Sequence, residues 1–358
     1  MDKKKIEVTP ANLVLNDQRR SILKKFAGVA AVAAMPGSLM APSIVRAAEP
    51  GKFRFKLGIS LPDTHPIPAG LKGACAEILQ ASNGRLNIEV FSSGQLGSDT
   101  DMISQVRSGG IDMFSTAGTV WGTLVPVASI NALAFAFQDY PTVWKAMDGD
   151  LGAHIRAGFA RFNLVPQTKI WDHGFRHITN SAKPINTPHD VAGMKVRVPV
   201  APILTSLFKS LGAAPASVNF AELYTSLQTK VVDGQENPLS VVDTAKLYEV
   251  QKFGSFTSHA WDGFWLVANK RSWESLPNDL RQLASQTFDA HAEKERVANA
   301  EINTRLVEVL KGRGMTFNTV DGQPFRKVLK QAGFYNEWQK KFGPEAWSIL
   351  EKHTGSLL

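Results

Sequence analysis

The chain has 358 residues, 44% of them hydrophobic, with a formal charge of +8 and one cysteine. That length supports one large or two medium cores, and a single cysteine excludes an internal disulfide. The basic excess does not point to nucleic acid. Residues 1–47 hold eight Lys/Arg and three Asp/Glu, so the remainder keeps only about +3 and carries no basic tract.

Gln18-Arg19-Arg20-Ser21-Ile22-Leu23-Lys24 resembles a twin-arginine export signal, departing from it at Gln18 and Ile22. An Ala/Gly-rich apolar run from Phe26 to Ala34 follows, too short to span a bilayer. Val45-Arg46-Ala47 supplies small residues for cleavage after Ala47. Residues 1–47 are therefore expected to be a twin-arginine-type signal peptide on a periplasmic protein. No later segment reaches the ~18 uninterrupted apolar residues of a membrane span. Cys75, between Ala74 and Ala76, is expected to be a buried, inert thiol.

In the remaining ~311 residues, alternating Phe53-Arg54-Phe55-Lys56-Leu57-Gly58-Ile59 predicts a strand. A helix from Pro68 to about Ser82 follows, closed by Asn83-Gly84. Leu86 to Phe91 predicts a second strand, Asp99 to about Gly110 a helix, and Ile111 to Ser115 a third strand. This β-α-β-α-β order predicts an α/β sheet with helices on both faces. A second α/β unit begins near Lys169. Strands are expected at Thr168–Trp171, at His173–Thr179, at Met194–Pro199, at Ser255–His259 and at Phe264–Asn269. Helices are expected at Pro202–Leu211, Phe220–Thr229 and Val241–Tyr248. From Pro277 to about Lys311 good helix formers run without Gly or Pro, which predicts a helix of about 50 Å that bridges two lobes.

Catalytic motifs are missing: no HExxH, paired CxxC, GxSxG, Walker loop or GxGxxG occurs. His173 and His177 flank Gly174 in an extended segment, so hydrogen-bonded or solvated histidines are expected there instead of a metal pair. What remains is polar groups in apolar surroundings. Arg197 sits between Val196 and Val198 in a strand, either outward or into a cleft. Its planar fork suits a carboxylate. Arg176 is either a structural ion-pair member or a second cation. Asn237, held extended by Pro238, is either a turn residue or a cleft amide.

Several runs then resemble, in order, the extracytoplasmic solute-binding proteins of tripartite ATP-independent periplasmic (TRAP) transporters, of the dicarboxylate type. They are Gly94-Gln95-Leu96-Gly97, Gly110-Ile111-Asp112-Met113, Gly174-Phe175-Arg176, Ile178-Thr179-Asn180-Ser181 and Gly193 to Pro199. Phe220-Ala221-Glu222-Leu223-Tyr224, Val232 to Pro238 and Tyr248 to Lys252 continue the series, so the likeness covers nearly the whole chain after residue 47. The resemblance implies a two-lobe α/β clamshell with hinge strands and a long C-terminal helix spanning both lobes. Lobe I is expected over 52–172 plus 262–303, and lobe II over 173–261 plus 304–358. Arg197 would make the salt bridge to the ligand carboxylate, Arg176 and Asn237 would be further contacts, and Phe220 an aromatic wall. Loops of the first lobe would add Ser60, His65, Thr116 and Gly118.

Trp121, Trp171, Trp261 and Trp265 are either core or the lining of an aryl-acid pocket, and Trp261 is carried as a candidate contact. Aromatic or hydroxy acids, sugar acids and dicarboxylates are all open as ligands; a second carboxylate would want Arg176. The expected partners are the small and large membrane permease subunits, with no cofactor, no metal and no nucleic acid. A ligand-presenting sensory protein and a periplasmic α/β enzyme are the alternatives.

Overall fold

The computed structural model describes residues 53–358; the signal-peptide reading of residues 1–47 lies outside them. The alternating run at the start forms β1 (Phe53–Ile59), with Phe55, Leu57 and Ile59 buried. It pairs in parallel with β2 (Leu86–Phe91) and β3 (Met113–Ala117). The first helix runs Pro66–Ala81, starting two residues before Pro68, because His65 caps it: its Nδ1 accepts from the Ile67 N–H at 3.2 Å. β3 begins two residues later than expected, after the left-handed turn at Gly109 that ends the helix Asp99–Ser108.

The remaining strands are β4 (Leu164–Pro166), β5 (Trp171–Asn180), β6 (Lys195–Val198), β7 (Ala214–Ser217), β8 (Gly234–Asn237), β9 (Phe253–Asn269) and β10 (Thr316–Thr319). They join in one sheet of order β2-β1-β3-β9-β5-β8-β6-β7, with β4 and β10 also on β9. Two expectations need correction. The strands at Ser255–His259 and Phe264–Asn269 are one 17-residue strand, because the Ala260–Gly263 segment between them, Asp262 included, stays paired with β5. Asn237 is not in a turn; it ends β8, opposite His177.

β9 thus serves both halves of the sheet. Its Phe264–Ala268 end pairs with β3, while its Phe253–Phe256 end pairs with β10. β5 runs antiparallel beside it, with register shifts between Asp172 and Gly174 and between Arg176 and Ile178. Such irregularities bend a strand locally, here over residues 172–178 of β5.

The long helix spans Asn278–Gly312, 35 residues and so about 52 Å. It packs on the helix Pro66–Ala81, on β5 and on the helix Leu239–Thr244. Near its middle Arg296 donates to Ile170 O (2.8 Å from Nη2) and to both Asp148 oxygens, and lies 4.0 Å over the Trp144 ring. Asn299 donates to Asp172 O and Oδ2. Cys75 is buried, which pushes its thiol up to about 12. No described helix is long and apolar enough to cross a membrane.

Candidate functional site

The strand ends of both halves converge on one cavity. Ser60 follows β1, Thr116 and Ala117 end β3, Pro199 follows β6 and Asn237 ends β8. A cleft beyond the carboxyl ends of strands is where open α/β sheets bind ligands. Arg197 comes from β6, Phe220 from the turn after β7, and His173, Arg176 and Phe264 from the shared strands. Asp99, at the start of its helix, completes the polar lining.

Arg197 is 1% exposed. It donates from Nε (2.9 Å) and Nη2 (2.6 Å) to Val218 O and makes no salt bridge among the described residues. Burial, with the like charge of Arg176, pulls its pKa down to about 10 against the attraction of Glu236, Asp99 and Glu222. It therefore stays cationic at neutral pH.

Arg176 is equally buried but already neutralised. It grips Glu236 with two bonds, Nε to Oε2 at 2.5 Å and Nη2 to Oε1 at 2.7 Å, and has Asp262 3.6 Å from Nη1. Burial alone would lower its pKa, yet these carboxylates raise it. His259 Nε2 also faces Glu236, at 3.2 Å. The expected role of Arg176 as the cation for a second carboxylate does not fit, because its charge is spent on Glu236.

Asn237 accepts from Arg176 Nη2 (3.2 Å) and donates to Gln235 Oε1 (2.6 Å); Gln235 in turn donates to Thr179. This fully bonded chain fixes the amide and the guanidinium together. Thr116 donates to Asp99 Oδ1 at 3.3 Å. Burial raises the pKa of Asp99, opposed by hydrogen bonding from Ser60 and Thr116 and by the charge of Arg197.

Of the residues singled out from sequence, Arg197, Arg176, Asn237, Phe220, Ser60 and Thr116 share this cavity. His65 does not line it. It caps its helix and bonds Ser240 Oγ through Nε2 at 3.1 Å, with its ring 5.9 Å from His173. Gly118 is in the core, where a Cβ would lie 2.4 Å from Asn131 Oδ1. Trp261 is 1% exposed, donates to Asp172 Oδ1 and packs edge-on against Phe137 and Trp144. The other three candidate tryptophans are fully buried too, so no tryptophan lines the cavity.

Sequence reasoning did not place Asp99, His173 or Phe264 among the ligand contacts; His173 was expected only as a hydrogen-bonded or solvated histidine. His173 is 3% exposed, with Phe264 edge-on at 4.7 Å. Its Nδ1 faces Arg176 Nη1, a donor, at 3.3 Å, so its proton sits on Nε2, which has no hydrogen-bond partner. Burial, then Arg176 and His65, lower its pKa well below the usual range, so the ring is neutral. For Asp99 the available signal was an acid at a helix start, one residue beyond Gly94-Gln95-Leu96-Gly97 and next to the cap Ser98.

The profile of the bacterial extracellular solute-binding protein family 7 matches residues 57–340. The chain belongs to that family. A 2,3-diketo-L-gulonate-binding periplasmic protein of Escherichia coli is 33% identical over 251 residues, 70% of this chain and 76% of that one. A C4-dicarboxylate-binding periplasmic protein of Rhodobacter capsulatus is 31% identical over 325 residues, covering 88% and 94%. An uncharacterized Sinorhizobium fredii protein is 31% identical over 83% of this chain, which spans only 55% of that relative's length. Among solved structures, a TRAP solute-binding protein of Roseobacter denitrificans with bound β-D-glucuronate superposes with a TM-score of 0.80 at 28% identity. It covers 85% of this chain and 99% of that one. One from Polaromonas with D-erythronate gives 0.76 at 31% identity, over 85% and 98%. The family and these neighbours are solute-binding proteins, which sets the enzyme alternative aside.

Proposed function

We propose that the protein is the periplasmic receptor of a TRAP transporter, that it closes on a small organic acid whose carboxylate pairs with Arg197, and that it hands the acid to small and large permease subunits. One observation carries this reading. A fully buried guanidinium, without a salt bridge among the described residues, faces a cavity whose one lining carboxylate, Asp99, is bonded by Thr116. A buried charge wants a partner, and an anionic ligand supplies it. Asn237 and Arg176 flank the seat and Phe220 covers it. The relatives that bind diketogulonate, C4-dicarboxylates, glucuronate and erythronate all take carboxylates.

Closure follows from where the groups come from. Lobe I (52–172 plus 262–303) contributes Ser60, Asp99 and Thr116; lobe II (173–261 plus 304–358) contributes Arg176, Arg197, Phe220 and Asn237. A ligand touching both binds the closed form better, and that difference shifts the equilibrium. Delivery to the periplasm would use the twin-arginine-type segment at Arg19-Arg20.

Arg197→Ala tests the seat. Removing one side of a buried charge pair costs about 2–5 kcal/mol, which is roughly a 30- to 4,000-fold loss of affinity. The fold should persist, since Arg197 bonds only Val218 O. Calorimetry showing undiminished affinity for the bound acid would overturn the assignment.

A further inference from the structure

Outside the cavity, buried polar atoms collect where the long helix meets the start of β5. Glu295 and Asn299, one helical turn apart and so on one face, are 4% and 0% exposed. Against them lies Asp172, fully buried. Its N–H donates to Glu295 Oε2 at 2.9 Å, and Asn299 Nδ2 donates to its carbonyl and its Oδ2 at 3.1 and 3.0 Å. Two atoms are left over. Glu295 Oε1 and Asn299 Oδ1 each lack a hydrogen-bond partner. An ionised carboxylate and an amide oxygen only accept, so neither serves the other until a proton is added.

The surroundings offer them no other donor. Arg296 is spent on Ile170 O, on both Asp148 oxygens and on the Trp144 ring. Lys169 pairs with Asp148 and Glu293. The helix Pro66–Ala81 faces Glu295 with Gly70, and its Glu77 pairs with His291, one turn before Glu295. The Trp171 ring packs beside Gly70, but its Nε1 bonds neither oxygen. From the helix Tyr140–Met147, Tyr140 faces Asp172; burial and that charge raise its pKa, so the phenol keeps its own proton.

The two acids differ in their partners. Asp172 accepts from Trp261 Nε1 at 3.0 Å and from Asn299. Burial pushes it up to about 6, opposed by those bonds, by Tyr140 and by the charge of Arg296. Glu295 accepts only from the Asp172 N–H. Burial, then the like charge of Asp172, outweigh that bond and Arg296 and raise its pKa well above the usual value. With several donors on one acid and a bare oxygen on the other, a proton held by the pair belongs on Glu295.

We infer that Glu295 holds a proton on Oε1 and donates it to Asn299 Oδ1, and that this proton is a clasp between the long helix and β5 that alkaline solution releases. One proton satisfies both leftover atoms and removes one of two like charges from a dry site. Its loss sets two carboxylates side by side and orphans Asn299, so the seam opens to water. The stability it contributes is full below about pH 4.3, falls as pH rises and is gone above the folded pKa.

The test is carboxyl-carbon NMR of the full-length protein labelled in Glu or in Asp, with Glu295→Gln and Asp172→Asn identifying the two signals. At pH 7 Glu295 should be neutral and Asp172 mostly ionised. Asp172→Asn removes the like charge and should weaken proton binding at Glu295 about tenfold or more. Amides of residues 171–174 and 292–303 should exchange faster, after correction for the chemical rate, once Glu295 ionises. Glu295→Gln should keep them slow, because its amide N–H replaces the proton. An ionised Glu295 at pH 7, a proton found on Asp172 instead, or exchange that ignores the titration overturns the inference. So does a Tm at pH 8 that rises when sodium replaces choline at constant ionic strength in the parent but not in Glu295→Gln, which would give the site to a metal cation. Should Asp172→Asn fail to fold, the titration of Glu295 in the parent decides alone.

Discussion

Glu236→Ala should be among the most destabilising single changes in the molecule. The carboxylate is fully buried, accepts two bonds from Arg176 at 2.5 and 2.7 Å, and has His259 Nε2 at 3.2 Å. Without it, Arg176 keeps only Asp262 at 3.6 Å as an ionic partner. Stripping one member from a buried pair costs about 3–5 kcal/mol, because the other charge is left uncompensated. At roughly 2 °C per kcal/mol for a chain of this size, Tm should fall by about 6–10 °C. Arg176→Met with Glu236→Leu should recover more than half of that loss, since the two desolvation costs vanish together. The pH dependence has a definite sign. Burial pushes the Glu236 carboxyl up, but Arg176 and His259 outweigh it and hold the pKa below the ordinary value. Its contribution is therefore present above about pH 4.3 and lost as pH falls through the folded pKa. The gap between parent and Glu236→Ala should be constant from pH 6 to 8 and close only in acid. Thermal melts across that range are the assay. A loss below about 1 kcal/mol, or a double variant no better than the single one, would refute the reasoning.

Two further changes address groups outside the cavity. Burial, reinforced by Asp172, raises the pKa of Glu295 well above its usual value, and its Oε1 has no partner. The folded state therefore favours the protonated acid, and stability is lost as pH rises from the unfolded value toward the folded one, at up to about 1.4 kcal/mol per pH unit. Glu295→Gln should melt higher than the parent at pH 8 and match it near pH 4; a lower Tm at pH 8 would contradict this. Gly118→Ala would place a Cβ 2.4 Å from Asn131 Oδ1 and 2.5 Å from the Ala128 carbonyl, a strain of about 1–3 kcal/mol. Tm should fall while the affinity of the folded protein holds. Lost binding at unchanged Tm would return Gly118 to the ligand wall.

Much of this was legible from local pattern. The alternation at Phe53–Ile59 and the uninterrupted helix formers after Pro277 gave elements within a residue or two, because each signal is carried by its own segment. β9 was not legible as one strand, since Asp262 and Gly263 read as a break. Tertiary partners make a buried Asp262 tolerable there: the Arg176 guanidinium at 3.6 Å and bonds from Thr119 and Asn131. In the site, Arg197 and Asn237 stood out by residue type in apolar surroundings. Whether Arg176 was free or paired depended on Glu236, sixty residues away. Asp99 was marked only by its place at a helix start, and nothing local showed that His173 is buried against groups from other elements.

The long helix is held close to its midpoint. Arg296, the main anchor to Ile170 and Asp148, lies about halfway along Asn278–Gly312, beside the strand irregularities of β5. A rod pinned at its centre is a lever with arms of about 26 Å. A turn of roughly ten degrees about that pin carries either tip some 4–5 Å, more than a side-chain length of one carboxylate. Under the closure proposed above, the presence of a small acid would be written on the outer surface at a scale a membrane partner can read.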